Sequence, residues 1–150
     1  MHSAHLLVED TDYMKIDHPV YKYRMLKAIP LQTWIARCPV QAEYFSLTPK
    51  GILTVNKKYC WDGASGPTFD TSDSMRGSLF HDVLYQMLRE GQLLDGKYVP
   101  AEHDRLRKIA DQIIYRLCRA DGMPWIRAQL WYWGIRWKGG EHALPRYYSD

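Results

Sequence analysis

The chain is short of every device that staples, anchors or exports a protein. Its three cysteines (Cys38, Cys60 and Cys118) are odd in number and show no Cys-x-x-Cys spacing, which argues against a disulfide framework or a zinc knuckle. Free thiols in a reducing compartment are the expectation. No apolar run is long enough for a bilayer, so no transmembrane segment is expected. The first ten residues, Met1 to Asp10, lack the basic and apolar regions of a signal peptide, so a protein made in a cytoplasm and not secreted by that route is expected. The formal charge is only +3 and there is no Lys/Arg block, so a nucleic-acid partner is not indicated. Low-complexity runs and internal repeats are also missing.

What is present suits one globular domain. A chain of 150 residues, 46% hydrophobic and 25% charged, can bury an ordinary core without cross-links. Six Trp and eleven Tyr fit a dense core, an interface, or both. The β-rich part is expected over about 18–62, the helical part over about 71–139, with a loose tail to Asp150. Strand-type residues occur in Tyr21–Leu26 and Gln32–Ala36, punctuated by Pro19, Pro30 and Pro39. A hairpin follows: Tyr44–Leu47 is joined to Ile52–Val55 through Thr48-Pro49-Lys50-Gly51.

Helical periodicity begins near residue 71. Thr71, Ser72 and Asp73 offer capping oxygens, and Gly91 is the expected stop. Apolar positions cover most of the circumference of this helix, so it should be central. Pro100 opens a second helix, with Leu106, Ile109, Ile113 and Leu117 on its apolar face and Asp121-Gly122 at its end. A third begins at Pro124 and stops at Gly139-Gly140, and its stripe of Ile126, Leu130, Trp133 and Trp137 is expected to face the core, an interfacial membrane helix being the alternative that its Trp/Arg mixture offers. The fold class is therefore α+β: a small N-terminal antiparallel sheet followed by three packed helices.

Two stretches carry the chemistry. Asp62-Gly63-Ala64-Ser65-Gly66-Pro67 is a glycine loop, and His81-Asp82-Val83-Leu84-Tyr85 sets an imidazole and a carboxylate side by side in apolar surroundings. Their side chains leave a helix about 100° apart, so they cannot bond each other but can converge on a ligand. His81, Asp82 and Asp62 form a candidate divalent-metal set, with Ca²⁺, Mg²⁺ and Zn²⁺ all open. Tyr85, one turn after His81, can line the same pocket. Asp111 lies at the border of the apolar face of the second helix; it either pairs with Arg107 one turn earlier or crosses over to orient His81. His103 and Asp104 read as solvated first-turn residues.

Together, Asp62-Gly63-Ala64-Ser65-x-Pro67, His81-Asp82-x-Leu84-Tyr85 and Ala110-Asp111 resemble the motifs of a family of small phage and prophage proteins, over roughly residues 44 to 138. The resemblance implies a phage origin and, as partners, other virion proteins; it implies no particular activity. More loosely, Tyr59-Cys60, Gly63, Gly66-Pro67, Asp70 and His81-Asp82-x-x-Tyr85 look like the calcium loop and catalytic helix of secreted phospholipases A2. That likeness implies His81 as base, Asp82 as calcium ligand, Asp111 as orienting carboxylate and a lipid ester as substrate. Gly77, Ser78 and Leu84 stand where that family has cysteines. His-Asp phosphohydrolases are a third comparison, but those proteins are all-helical and need an upstream histidine, for which His18 is the nearest.

Two functions are thus expected. One is a phage-encoded metal-dependent hydrolase of a small-molecule or lipid ester or a phosphoester, with His81, Asp111 and Tyr85 catalytic and Asp62, Asp82 and His81 on the metal. The other is a non-catalytic virion or assembly component in which the same cluster is a buried network.

Overall fold

The computed structural model describes residues 11–35, 39–63, 71–94 and 97–144. It shows seven short strands followed by three helices, an α+β architecture. Strands β1 (Tyr13–Lys15), β2 (Tyr23–Met25) and β7 (Cys60–Trp61) form one antiparallel sheet in the order β1-β2-β7. Strands β3 (Ile29–Gln32), β4 (Val40–Gln41), β5 (Phe45–Leu47) and β6 (Ile52–Val55) form a second in the order β3-β6-β5-β4. The single small sheet expected from the sequence is thus two. Strand β1 lies upstream of the expected β region.

The expected hairpin is β5–β6, with Ser46 opposite Thr54 and Leu47 opposite Leu53. Gly51 closes it at φ +90°, and a Cβ there would stand 2.6 Å from the Thr33 carbonyl oxygen, so only glycine fits. The expected strand at Gln32–Ala36 starts earlier and ends at Gln32. Pro30 lies inside it, paired with Thr54, and is tolerated because β3 is an edge strand whose missing N–H interrupts no inner ladder.

Helix α1 (Met75–Arg89) is central, as its periodicity predicts; only Asp82, Gln86 and Arg89 keep partial exposure. Gly91 follows it in the left-handed region at φ +73°. The helix starts at Met75 rather than in the Thr71–Asp73 run. The Ser74 hydroxyl bonds back to Thr71 instead of capping the helix. Helix α2 (Pro100–Ala120) packs along α1, and Gly77 marks their closest approach: a Cβ there would meet Cys118 Sγ at 3.0 Å and Ile114 Cγ1 at 3.1 Å. Burial lifts the Cys118 thiol pKa to about 12, which keeps it an inert core group.

Helix α3 (Trp125–Lys138) crosses α2 and corrects an expectation. Ala128 and Trp131 are its buried residues, while Ile126, Leu130, Trp133 and Trp137 face solvent. The charged ends of the helix decide its rotation. Arg127 reaches Asp73 and Thr71 from one flank of the Ala128–Trp131 stripe and Arg136 reaches Asp111 from the other, so that stripe turns inward and the aromatic stripe outward. Nor is the whole tail loose. A 3-10 turn over Gly139–Ala143 buries Ala143, whose carbonyl accepts from His103 Nε2 at 2.7 Å. His103 is therefore a buried anchor, not a solvated first-turn residue, whereas Asp104 is exposed. Among the described residues, no helix is long and apolar enough to cross a membrane.

Candidate functional site

The side chains of α1 that matter fall on two faces, and the helix pitch dictates which. Gly77, His81 and Tyr85 are spaced by four and look toward α2. Ser78, Asp82 and Gln86 have the same spacing about 100° away and look toward the end of the first sheet. On that second face the Trp61 indole N–H donates to Ser78 Oγ at 3.2 Å, and the Tyr59 hydroxyl donates to Gln86 Oε1 at 3.1 Å. These two bonds lay the strand along the helix one turn either side of Asp82. Trp61 is fixed in turn by Tyr13 and Tyr23, with ring centroids 5.7 and 5.5 Å from its own.

Asp62, the next residue, is thereby brought to the side of α1 that carries Asp82. Burial raises the Asp82 pKa well above the usual carboxylate range; the facing Asp62 raises it further, while Arg89 pulls it down. Gly63 follows at φ +78°, turning the chain away after the carboxylate. Ala64, Ser65, Gly66, Pro67 and Asp70 lie outside the described residues, as does Cys38.

The α2-facing side holds the stronger network. Asp111 is fully buried and accepts from donors on all three helices. At Oδ1 it takes His81 Nε2 at 2.8 Å and the Tyr85 hydroxyl at 2.7 Å. At Oδ2 it takes Arg136 Nη1 at 2.8 Å and Arg107 Nη1 at 3.4 Å. Burial alone would raise the Asp111 pKa. The hydrogen bond and charge of His81, then Tyr85 and Arg136, outweigh it and hold the carboxyl below its usual range. Tyr85 is shifted up, by burial first and by the Asp111 charge second, so its hydroxyl stays a donor. A Cβ on Gly139 would lie 2.9 Å from that hydroxyl, which explains a glycine at this helix end.

Because a carboxylate cannot donate, His81 presents an N–H to Asp111 from Nε2, and Nδ1 takes no part in that bond. The imidazole lies against the Tyr85 ring, with centroids 4.1 Å apart, and 11% of its side chain remains exposed. An imidazole held in this way offers its second ring nitrogen for proton transfer. Two neighbouring carboxyl groups offer oxygen ligands to a cation.

The four expected residues thus resolve into two pairs, His81–Asp111 and Asp82–Asp62. Both readings of Asp111 hold at once, since it pairs with Arg107 and also crosses to His81. No group of three or more His, Cys, Asp or Glu side chains among the described residues is arranged to hold a metal ion. Asp62 and Asp82 come together without His81, whose Nε2 belongs to Asp111. Sequence reading missed Arg136 and Gly139. The available signal was that Arg136 falls in the last turn before Gly139, where a cation suits the helix dipole. A separate cavity of about 360 Å³ lies between α2 and α3, lined by Gln112, Tyr115, Arg116, Gln129, Tyr132 and Trp133. Comparison with protein-family models, with curated proteins and with solved structures finds no match to this chain.

Proposed function

We propose that the protein is a small metal-dependent hydrolase of an ester or phosphoester, with His81 as general base and Asp111 as the group that orients it. The observation supporting this most is the 2.8 Å bond from His81 Nε2 to a fully buried, four-donor carboxylate, which holds the ring in place and leaves Nδ1 for proton transfer. Tyr85 acts through Asp111 rather than on substrate, since its hydroxyl is spent on Oδ1. Asp62 and Asp82 would hold the cation. Two carboxylates fit a hard ion such as Mg²⁺ or Ca²⁺, whose remaining positions go to water and to substrate oxygens, better than Zn²⁺ with its preference for nitrogen and sulfur. Bound there, such an ion would supply charge neutralisation at a developing oxyanion. A phosphoester suits this arrangement well, because Mg²⁺ is commonly held by one or two carboxylates plus substrate phosphate. A phage origin for the chain, and virion proteins as its partners, rest on the motif resemblance alone.

A second reading has its own support. The donors on Asp111 come from α1, α2 and α3, so the cluster also serves as a polar clamp joining the helices of a non-catalytic assembly component.

Hydrolysis of nitrophenyl phosphate mono- and diesters and of nitrophenyl carboxylate esters, with and without Mg²⁺, Ca²⁺ or Zn²⁺, separates the two. The hydrolase reading expects cation-dependent turnover that His81→Gln abolishes and Asp82→Asn makes cation-independent or abolishes, with both variants folded. If calorimetry detects no cation binding and no substrate turns over, while His81→Gln lowers only the melting temperature, the clamp is the function.

A further inference from the structure

Helix α3 carries an apolar seam with nothing against it. Ile126, Leu130, Trp133 and Trp137 are 66, 69, 64 and 83% exposed, and their spacing of four, three and four is that of a coiled-coil seam. Half a turn round the helix, Ala128 and Trp131 face the protein's own core, so the seam is the back of an already packed helix. Trp125 is also exposed but lies about 100° round the helix, so the seam itself offers roughly 500 Å² of apolar surface, taking each whole indole at about 150–250 Å². That stands at the upper end of the about 300–600 Å² that the largest patch of an ordinary monomer shows. A standard interface uses about 800 Å² per partner.

We propose that this seam is the interface of a two-fold symmetric homodimer, formed by α3 of one copy lying antiparallel on α3 of another. The residue order supports this occupant in particular. A two-fold axis between Trp131 and Tyr132 places Ile126 opposite Trp137 of the second copy and Leu130 opposite Trp133, so each indole meets an aliphatic side chain. Parallel alignment would instead stack tryptophan on tryptophan. Gly134 sits beside the seam, and a Cβ there would meet no atom within 4 Å, so its own fold does not require glycine. Its bareness admits close approach of a second backbone.

Charge also suits self-association in this direction. Helix α3 has no acidic residue. Arg127 is already paired with Asp73 and Arg136 with Asp111, and Lys138 lies over the ring of its own Trp137 at 5.6 Å; the antiparallel arrangement sets the two copies of Lys138 at opposite ends. A lipid surface would be better served by a rim of unpaired cations around the indoles.

The test uses the full chain. Sedimentation equilibrium at about 10 µM protein is expected to give a dimer. The double variant Leu130→Glu/Trp133→Glu should be monomeric yet cooperatively folded, with a melting temperature that no longer depends on protein concentration as the wild type's does. Mixing it with Leu130→Lys/Trp133→Lys should restore a one-to-one heterodimer, because residues 130 and 133 face each other across the proposed axis. A wild-type monomer at that concentration overturns the proposal. So does a dimer that survives in the acidic variant, which puts the interface elsewhere. A monomer that instead binds phosphatidylglycerol–phosphatidylcholine vesicles through Trp133 and Trp137 would assign the seam to lipid and also overturn it.

Discussion

Replacing Asp111 by alanine removes the one acceptor that four donors share. Arg136 and Arg107 are left with Asp104, at 3.6 and 3.8 Å, as the nearest remaining anion, and that side chain is mostly exposed. Breaking a buried ion pair by deleting one partner costs about 3–5 kcal/mol. The unpaired Tyr85 hydroxyl and His81 N–H add to this in part, since water entering the space vacated by the carboxyl group can pair with them. A loss of about 4 kcal/mol is expected, and at about 3 °C per kcal/mol the melting temperature should fall by about 12 °C. Circular dichroism melts and urea titration read both quantities. The sign of the coupling provides the sharper check. In an Asp111→Leu background, adding Arg136→Leu should recover part of the loss, since it removes a stranded charge. The acid limb gives a further readout. The folded-state pKa of Asp111 lies below its unfolded value, so its contribution is complete above about pH 4–5 and is lost as pH falls through the lower folded value. Wild type should therefore weaken below that range, and Asp111→Ala should show a flatter acid limb. A loss under about 1 kcal/mol in Asp111→Ala would refute the clamp and the orienting role together.

The remaining predictions concern single contacts. Asp82 titrates in the opposite sense: its folded pKa is raised, so its contribution is complete below the unfolded value and is lost as pH rises toward the folded one. Asp82→Asn should thus melt higher than wild type at pH 8, with the gap closing near pH 3 and, in wild type, on addition of Mg²⁺ or Ca²⁺. Gly139→Ala drives a methyl group to within 2.9 Å of the Tyr85 hydroxyl and should cost about 1–3 kcal/mol, a loss that Tyr85→Phe in the same chain relieves. Tyr85→Phe alone should cost about 1 kcal/mol and leave hydrolysis within severalfold of wild type; loss of all turnover would make Tyr85 catalytic instead. Gly51→Ala combines a φ of +90° with a 2.6 Å approach to the Thr33 carbonyl and should unfold the second sheet or lower the urea midpoint by more than any other glycine change.

Local signals in the chain carried most of the fold. Proline, glycine and period marked α1, α2 and the β5–β6 hairpin to within a few residues, because backbone geometry at Gly51, Gly91 and Pro100 is a local property. The pairing of Asp111 with His81 was legible for a similar reason: a carboxylate bordering an apolar face needs a partner. The rotation of α3 was not legible. Ile126, Leu130, Trp133 and Trp137 have the spacing of a buried face, and only contacts far along the chain, Arg127 with Asp73 and Arg136 with Asp111, turn that face outward. The separation of His81 from Asp82 into two pairs had the same origin. It depends on Trp61 and Tyr59 docking at Ser78 and Gln86, which brings a strand edge to one side of α1 only.

Since Ala128 and Trp131 are its buried residues, α3 owes much of its attachment to guanidinium–carboxylate bonds rather than to apolar area. Hydrophobic burial is indifferent to acid, but the Arg136–Asp111 bond is not. The Asp111 carboxyl is held below its usual range, so its protonation, and with it the loosening of α3 and the turn after it, is expected only in strong acid. Amide hydrogen exchange would then show residues 125 to 143 losing protection there as a unit. A helix that can be released this way would make any contact through its outer side reversible by pH alone.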